Sequence, residues 1–318
     1  MGLRVFLCPM NNNLMQVASR WKAAKKPTVK KSTYAIYSQL CNKHILLWFC
    51  AHPELSEANI QAFVNSELER GLSLKTVKDT LLVLQMLLTF GARMGAWEMP
   101  VYSVRFPSSL QPRHPLPLSL SQAQEKRLLE HLHAQFSYRN LGLLICLYSG
   151  LRIGEVCGLQ WQDIDLRAGV IHVGKTVQRI YIADGDYREY GLYLGPPKTA
   201  SALRDIPLSG ELRALLRQVG RGKAPEVFVV SDAAAPLEPR YYRQYFSRLL
   251  KRLGLPPVRF HALRHSFATR CIESRCDYKT VSAILGHASI YTTLDLYVHP
   301  DLVQKRRCID KMSRGLRM

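Results

Sequence analysis

The sequence predicts a mostly α-helical protein with a small antiparallel β-sheet, an α+β fold in two domains. Apolar side chains recur at helical spacing through the first hundred residues. Residues 103–118 then contain four prolines, Pro107, Pro112, Pro115 and Pro117. Because proline disfavours helix in the residue before it, we interpret this stretch as an extended linker. Short β-rich runs follow between helical stretches, which predicts a small sheet inserted into the second domain.

These features divide the chain into four parts. Residues 1–26 are a short N-terminal segment, 27–102 a helical domain, 103–118 the linker, and 119–318 the second domain with a basic C-terminal tail. The short first part leaves two interpretations open: the chain lacks part of its N-terminus, or the protein works without a further N-terminal domain.

Caps and apolar spacing predict the individual elements. Ser73 is placed to cap one helix, and Ser121 with Gln124 forms a capping box at the start of another. Gly150 is expected to end a buried helix. The first predicted helices lie around 34–40 and 60–68, from Ser73, at Ser121–Leu132 and at Asn140–Tyr148. Strands are predicted next, at Val170–Val173, Arg179–Ala183, Gly191–Leu194 and Ala202–Pro207. Helices then follow at Ser209–Val219, at Pro239–Leu253 and from His261 onward.

The charge of the chain indicates a polyanionic partner. Its 44 Lys and Arg outnumber 24 Asp and Glu, which gives a formal net charge of +20. Such an excess favours nucleic acid, because each neutralised phosphate releases counterions; the alternatives are a merely basic protein or one that lies on an anionic membrane. The longest apolar stretch, Leu81–Phe90, is far shorter than the roughly 20 residues that span a bilayer. The first residues lack the pattern of a secretory signal, so we expect a cytoplasmic protein.

A set of side chains in the second domain suits phosphoryl transfer to a protein nucleophile. Fixed cations meet the negative charge of a phosphodiester transition state, and a tyrosine hydroxyl needs a base and nearby positive charge to attack. Each residue alone has an ordinary structural explanation, and the combination carries the interpretation. The candidates are Arg152, Glu155, Lys198, His261, Arg264, His287 and Tyr297.

No cofactor is expected for this chemistry. The sequence has no CxxC pair and no carboxylate cluster that would indicate a catalytic metal. A covalent protein–DNA link would conserve the energy of the phosphodiester, so rejoining would need no ATP.

At these motifs the chain resembles the tyrosine recombinases of the phage integrase family. The resemblance is carried by SGLRIGEVCGLQWQDID, PKTASALRDIPL, HALRHSFAT and LGHASIYTTLDLYVH, which match the family's catalytic boxes in order and spacing. In the first domain, KKSTYAIYSQLCNKHI and LSEANIQAFVNSELERGLSLKTVKDTLLVLQ are similar to its helical, SAM-like core-binding domain. The resemblance covers roughly Met15–Pro300 and is strongest to integrases of conjugative transposons and similar mobile elements.

The resemblance implies a role for each candidate. Arg152 and Arg264 correspond to the arginines that clamp the scissile phosphate, and Glu155 to a supporting acid. Lys198 corresponds to the general acid for the 5′-oxygen, and His261 to the general base. His287 corresponds to the residue that hydrogen-bonds the phosphate, and Tyr297 to the nucleophile that forms a 3′-phosphotyrosine. His265 and His299 are interpreted as structural. Ala262 departs from the family, which often has an acidic residue there.

The resemblance also implies partners. Double-stranded DNA is the expected substrate, and Lys30, Lys31, Lys43, Lys75 and Lys78 are candidate DNA contacts in the first domain. A homotetramer on two DNA sites is expected, with an accessory directionality protein as a candidate partner and a nucleoid-associated location. The tail from Gln304 to Met318 has six basic residues and one acidic. It is expected either to dock on a neighbouring protomer or to be a disordered segment that touches phosphates.

Two other functions remain open from the residues. A type IB topoisomerase shares the chemistry and relaxes supercoils without partner exchange, but the first domain resembles the integrase type. A catalytically silent DNA-binding protein could keep the fold, although all six catalytic positions are intact. The leading prediction is a site-specific recombinase that integrates or excises a mobile element.

Overall fold

The computed structural model describes residues 9–107, 119–184, 187–197, 199–287, 289–291, 294 and 302–315. These residues group into two compact units. The first unit contains the helices that precede residue 108 together with the hairpin segment Arg179–Gly191, and the second unit contains the rest. The predicted fold class is confirmed, because most elements are helices and the strands form small sheets.

The helices of the first unit enclose one apolar core. The core includes Leu14, Trp21, Phe49 and Phe63. Leu14 and Trp21 belong to α1, a helix that the sequence analysis did not predict and that falls within residues 1–26. The described elements are α1 (Pro9–Lys25), α2 (Lys31–Leu40), a π-helical turn (Cys41–Ile45), α3 (Leu46–Ala51), α4 (Glu57–Glu69) and α5 (Leu74–Arg93).

The longest helix of the first unit begins where its cap was predicted. The Ser73 hydroxyl accepts a hydrogen bond from the Thr76 amide at 3.1 Å, so it satisfies one of the amides that a helix start leaves unpaired. Val77, Leu84 and Leu88 are buried on one face of α5. The predicted apolar stripe of this helix is therefore part of the core.

The second unit is built around α7, which is buried along most of its length. Every residue from Asn140 to Leu147 is buried, and α11 packs against this helix. Ser121 and Gln124 form the predicted capping box at the start of α6. The helices described in this unit are α6 (Gln122–Ala134), α7 (Tyr138–Ser149), α8 (Ile153–Cys157), α9 (Gly210–Val219), α10 (Pro239–Arg252), α11 (Ala262–Glu273), α12 (Tyr278–Leu285) and α13 (Leu302–Gly315).

Five short strands lie between α8 and α9. They are β1 (Ile164–Asp165), β2 (Val170–Val173), β3 (Thr176–Asp184), β4 (Tyr187–Gly195) and β5 (Arg204–Pro207). β1, β2 and β5 form an antiparallel sheet in the order β1-β2-β5, and β3 with β4 forms a separate two-stranded sheet.

The start of β5 differs from the prediction. The strand begins at Arg204, opposite Val173 of β2, and the predicted start Ala202 belongs to a 3₁₀ turn, Ala200–Ala202. The Ala202 amide bonds to the Thr199 carbonyl at 3.1 Å, which closes the chain into a turn before pairing with β2 begins. Among the helices that the structure describes, none is long and apolar enough to cross a bilayer.

Candidate active site

The turn after α7 places Arg152. Gly150 ends α7 with a φ of +66°, a left-handed conformation that favours glycine. A Cβ atom there would lie 2.6 Å from the Phe267 ring and 2.8 Å from Leu285, so the turn also needs the small residue to pack. Arg152 follows as the N-cap residue of α8, with 34% of its side chain exposed.

Glu155 is the centre of a buried ion-pair network. Its side chain is 3% exposed, and its two oxygens accept hydrogen bonds from the Arg152 backbone amide at 2.9 Å and the Arg152 guanidinium at 2.8 Å. The guanidinium of Arg204 donates to the same two oxygens at 2.9 and 3.1 Å. Burial by itself would raise the pKa of Glu155, but the hydrogen bonds and charges of Arg204 and Arg152 lower it. The carboxylate therefore stays ionised, and it contacts Arg152 directly.

Arg264 lies beneath the site. It is one turn into α11 after the N-cap residue His261, and it is 1% exposed. Its guanidinium donates to the Gly150 carbonyl at 2.9 Å and to the Leu285 carbonyl at 2.7 Å. Arg264 thus joins the turn after α7 to the end of α12, and a direct contact with DNA would require that this side chain be uncovered.

Three arginines converge on the C-terminal end of α12. This helix ends at Gly286, whose φ is +64°, so its last carbonyls lack partners within the helix. Consecutive carbonyls each accept from a different guanidinium. These bonds are Arg204 to Ile284, Arg264 to Leu285, and Arg152 to Gly286, the last at 3.0 Å. His287 follows directly, so the arginine cluster fixes the chain where this histidine emerges.

Both histidines of the site favour the neutral form. Burial lowers the pKa of His261 to about 4, with further contributions from His265, Arg264 and Arg152. Burial likewise lowers the pKa of His287 to about 4, and the nearby arginines add to the effect. The His265 ring packs edge-on against His261, with ring centroids 4.8 Å apart. A neutral imidazole can accept a proton, which a general base must do.

The structure brings together five of the seven candidates: Arg152, Glu155, His261, Arg264 and His287. Lys198 and Tyr297 lie outside the described residues, as does His299. Among the described residues of either unit, no group of three or more His, Cys, Asp or Glu is placed to hold a metal ion. The five predicted DNA contacts in the first unit are exposed; they are Lys30, Lys31, Lys43, Lys75 and Lys78.

Sequence reasoning missed two features of the second unit. One is Arg204, which was not singled out, because its partners are distant in the sequence. The other is the basic face of α10, where Tyr242 and Phe246 are buried on one side. Apolar and basic residues alternate there at helical spacing, a signal that was available. The exposed basic residues of α10 are Arg240, Arg243, Arg248, Lys251 and Arg252.

Comparison with known proteins places this site in a family. The model of the phage integrase family matches residues 119–302. A tyrosine recombinase XerC of Xylella fastidiosa strain M23 is 32% identical over 252 residues, which cover 78% of this chain and 77% of that protein. The chain therefore belongs to the phage integrase family and is a tyrosine site-specific recombinase, an enzyme that cuts and rejoins DNA.

Solved structures share the fold of nearly the whole chain. The integrase of transposon Tn1549, solved with transposon right-end DNA, superposes with a TM-score of 0.72 at 22% identity, covering 94% of this chain and 99% of that one. The XerH recombinase bound to its difH substrate gives a TM-score of 0.65 at 21% identity, covering 96% and 97%. The two-unit architecture is therefore that of known tyrosine recombinases.

Proposed function

We propose that Tyr297 attacks a DNA phosphate and forms a 3′-phosphotyrosine, leaving a free 5′-hydroxyl. The observation that carries the proposal is the cluster at the end of α12, where three guanidinium groups and one carboxylate leave two net positive charges beside two neutral histidines. Such fixed charge stabilises the extra negative charge of a phosphoryl-transfer transition state. The assignment of Tyr297 itself rests on the sequence match.

The other residues take complementary roles. Arg152, which is partly exposed, binds the non-bridging oxygens of the phosphate, and Arg264 supplies positive charge from below. His261 accepts the proton of the tyrosine hydroxyl, and His287 hydrogen-bonds the phosphate. Lys198 protonates the departing 5′-oxygen.

Double-stranded DNA is the proposed partner of both units. The exposed lysines of the first unit and the basic face of α10 in the second supply cations for phosphates. Solved relatives such as the Tn1549 integrase and XerH carry DNA in their structures, which supports this assignment. We place the protein with the nucleoid in the cytoplasm, where such DNA would be met.

The proposed biological role is the integration or excision of a mobile element. The fold likeness to the Tn1549 integrase over almost the entire chain supports it. The identity to XerC proteins favours a second candidate, a Xer-like recombinase that acts at a dif-like site.

We further propose that the active form is a homotetramer on two DNA sites, with an accessory directionality protein. Helix α13 exposes Leu302, Ile309 and Met312, an apolar set that suits docking on a neighbouring protomer. Light scattering of the protein with and without a bound site gives the number of protomers. A monomer that relaxes supercoils with no paired DNA sites would instead favour a topoisomerase.

Covalent capture tests the chemistry and finds the substrate. Wild-type protein and Tyr297→Phe are each incubated with fragments of the DNA that flanks the gene, and protein-linked DNA is recovered under denaturing conditions and sequenced. Wild type should yield adducts at one recurring sequence, and Tyr297→Phe should yield none while still binding DNA. Adducts with the Phe variant, or none with wild type, would contradict the proposal.

A further inference from the structure

We propose that Arg204 is a positioning residue for strand cutting, which holds the Arg152–Glu155 pair and the end of α12 so that Arg152 and His287 face the DNA phosphate. The inference rests on the function proposed for those two residues. Arg204 begins β5 and follows Lys198 by six positions in the sequence. It therefore lies on the same chain segment as Lys198, the third residue that is proposed to act at the phosphate.

Arg204 is too enclosed to be a phosphate ligand itself. Its side chain is 6% exposed, although it carries a charge. Its guanidinium donates to both Glu155 oxygens, to the Ala202 carbonyl at 2.9 Å and to the Ile284 carbonyl. A buried charge is tolerated when hydrogen bonds of this kind surround it. Arg204 therefore acts on the reaction through the groups that it holds.

The first of these groups is Glu155, and through it Arg152. One carboxylate joins the two guanidinium groups, because each of its oxygens accepts from both arginines. Without Arg204, Glu155 and Arg152 would form a neutral pair, and the carboxylate would compete with DNA for the arginine. With Arg204 the three groups carry one net positive charge, so Arg152 remains attractive to a phosphate.

The second group is the end of α12, and through it His287. Arg204 bonds to the carbonyl of Ile284, three residues before the histidine. Its side chain also packs against Gly286, since a Cβ atom on that glycine would lie 3.0 Å from Cδ of Arg204 and 2.8 Å from the Ser201 carbonyl oxygen. The start of β5 and the residue before His287 are therefore in tight contact.

Arg204→Lys tests the proposal, because lysine keeps the charge but cannot form the planar fork. The control is Arg213→Lys. Arg213 also donates to backbone carbonyls, those of Leu166 and Arg167 at 2.9 Å, but at the turn between β1 and β2. The substrate is the sequence recovered by covalent capture, made with a nick so that the adduct accumulates. Single-turnover adduct formation, DNA affinity and melting temperature are measured for each variant.

We expect Arg204→Lys to slow adduct formation roughly 100-fold, the usual effect of misplacing reactive groups by about 1 Å. Its DNA affinity should stay within about twofold of wild type, since Arg204 touches no DNA. Arg213→Lys should cut at the wild-type rate. Wild-type cutting by a folded Arg204→Lys variant would overturn the inference and leave the proposed function intact.

A double-variant comparison separates positioning from general damage. Because Arg204 is proposed to act through both Arg152 and His287, Arg152→Lys with Arg204→Lys should cut faster than the product of the two single effects predicts. Full multiplication of the two effects would contradict the proposed link. If Arg204→Lys does not fold, Gly286→Ala disturbs the same contact from the α12 side and should slow cutting with little loss of DNA affinity. A Gly286→Ala protein that cuts at the wild-type rate would overturn the inference.

Imidazole NMR of the DNA-free protein gives a readout that does not depend on activity. The His287 resonances and pKa should change in Arg204→Lys and stay as in wild type in Arg213→Lys. Unchanged His287 signals in Arg204→Lys would overturn the inference even if the proposed function failed. If the His287 resonances and pKa changed in Arg204→Lys but wild type formed no adduct, the positioning contact would be supported and the proposed function contradicted.

Discussion

DNA binding should raise the pKa values of His261 and His287, whereas folding lowers them. In the DNA-free protein the pKa of each lies at about 4, because burial and the arginines disfavour the imidazolium form. A phosphate bound in the cluster adds negative charge, which favours that form. We expect both rings to remain neutral at about pH 5.5 without DNA, and their pKa values to rise when the cognate site binds. Imidazole NMR titration with and without DNA measures this.

The same shifts make folding of the DNA-free protein sensitive to acid. Each histidine takes up a proton near pH 6.5 when unfolded and near pH 4 when folded. Their contribution to stability is therefore complete above pH 6.5 and is lost as the pH falls from 6.5 towards 4. In the imidazole NMR titration of the free protein, the control is His172, an exposed β2 residue that contacts Asp205 and lies outside the cluster. A titration of His261 and His287 near pH 6.5 in the free protein would contradict the account.

Lys198 is the residue whose proposed role has the most specific chemical test. Lys198→Ala should slow cutting of normal DNA, because the departing 5′-oxygen then lacks a proton donor. Replacing that oxygen by sulfur, which leaves without a proton, should restore the rate of the variant. The control is Tyr297→Phe, which sulfur should not rescue because the nucleophile is missing. Equal defects of Lys198→Ala on both substrates would remove Lys198 from the general-acid role.

At the scale of the element, the turn between α7 and α8 ties packing to the position of Arg152. Gly150→Ala should destabilise the fold by about 1–2 kcal/mol for the left-handed backbone and by about 1–3 kcal/mol more for the clash with Phe267 and Leu285. Gly254 is the matched control, because its φ is +62° and nothing lies within 4 Å of its Cβ position. Urea unfolding measures both. Equal losses for the two variants would show that packing at Gly150 contributes nothing.

The sequence predicted the parts of the site that depend on local contacts. Gly150 as a helix end, and Glu155 three residues after Arg152, follow from cap rules and helix spacing. Arg204 could not be found in this way. Its partners Glu155 and Ile284 are 49 and 80 residues away in the sequence, so the contact exists only after the sheet and α12 have packed. The burial of Arg264 under the end of α12 was missed for the same reason.

At the scale of the whole molecule, the two-unit organisation followed from proline content and periodicity, but its details did not. Helix α1 could have been inferred, because Leu14, Val17 and Trp21 are spaced for one helix face and are buried. The assignment of Arg179–Gly191 to the first unit has no signal in the local sequence, since strand patterning does not say which core a hairpin approaches. The residue limits of the domains stay a prediction.

The net charge of +20 leads to a prediction about the whole molecule on DNA. If both units bind phosphates, removing cations from either should weaken the dependence of affinity on salt. Two double variants test this: Lys75→Gln with Lys78→Gln in the first unit, and Arg240→Gln with Arg248→Gln in the second. Each should reduce the magnitude of the negative slope of log affinity against log salt. The expected decrease is about 1.8 for each double variant, or about 0.9 for each DNA phosphate that is no longer neutralised.

Lys223→Gln is the control for charge alone. Its ammonium bonds both carboxylate oxygens of Asp232, at 2.7 and 2.9 Å, so it is already neutralised within the protein. Fluorescence anisotropy across a salt series should give the wild-type slope for this variant. If one double variant kept the wild-type slope while the other did not, only one unit would contact DNA phosphates. That result would contradict DNA binding by both units.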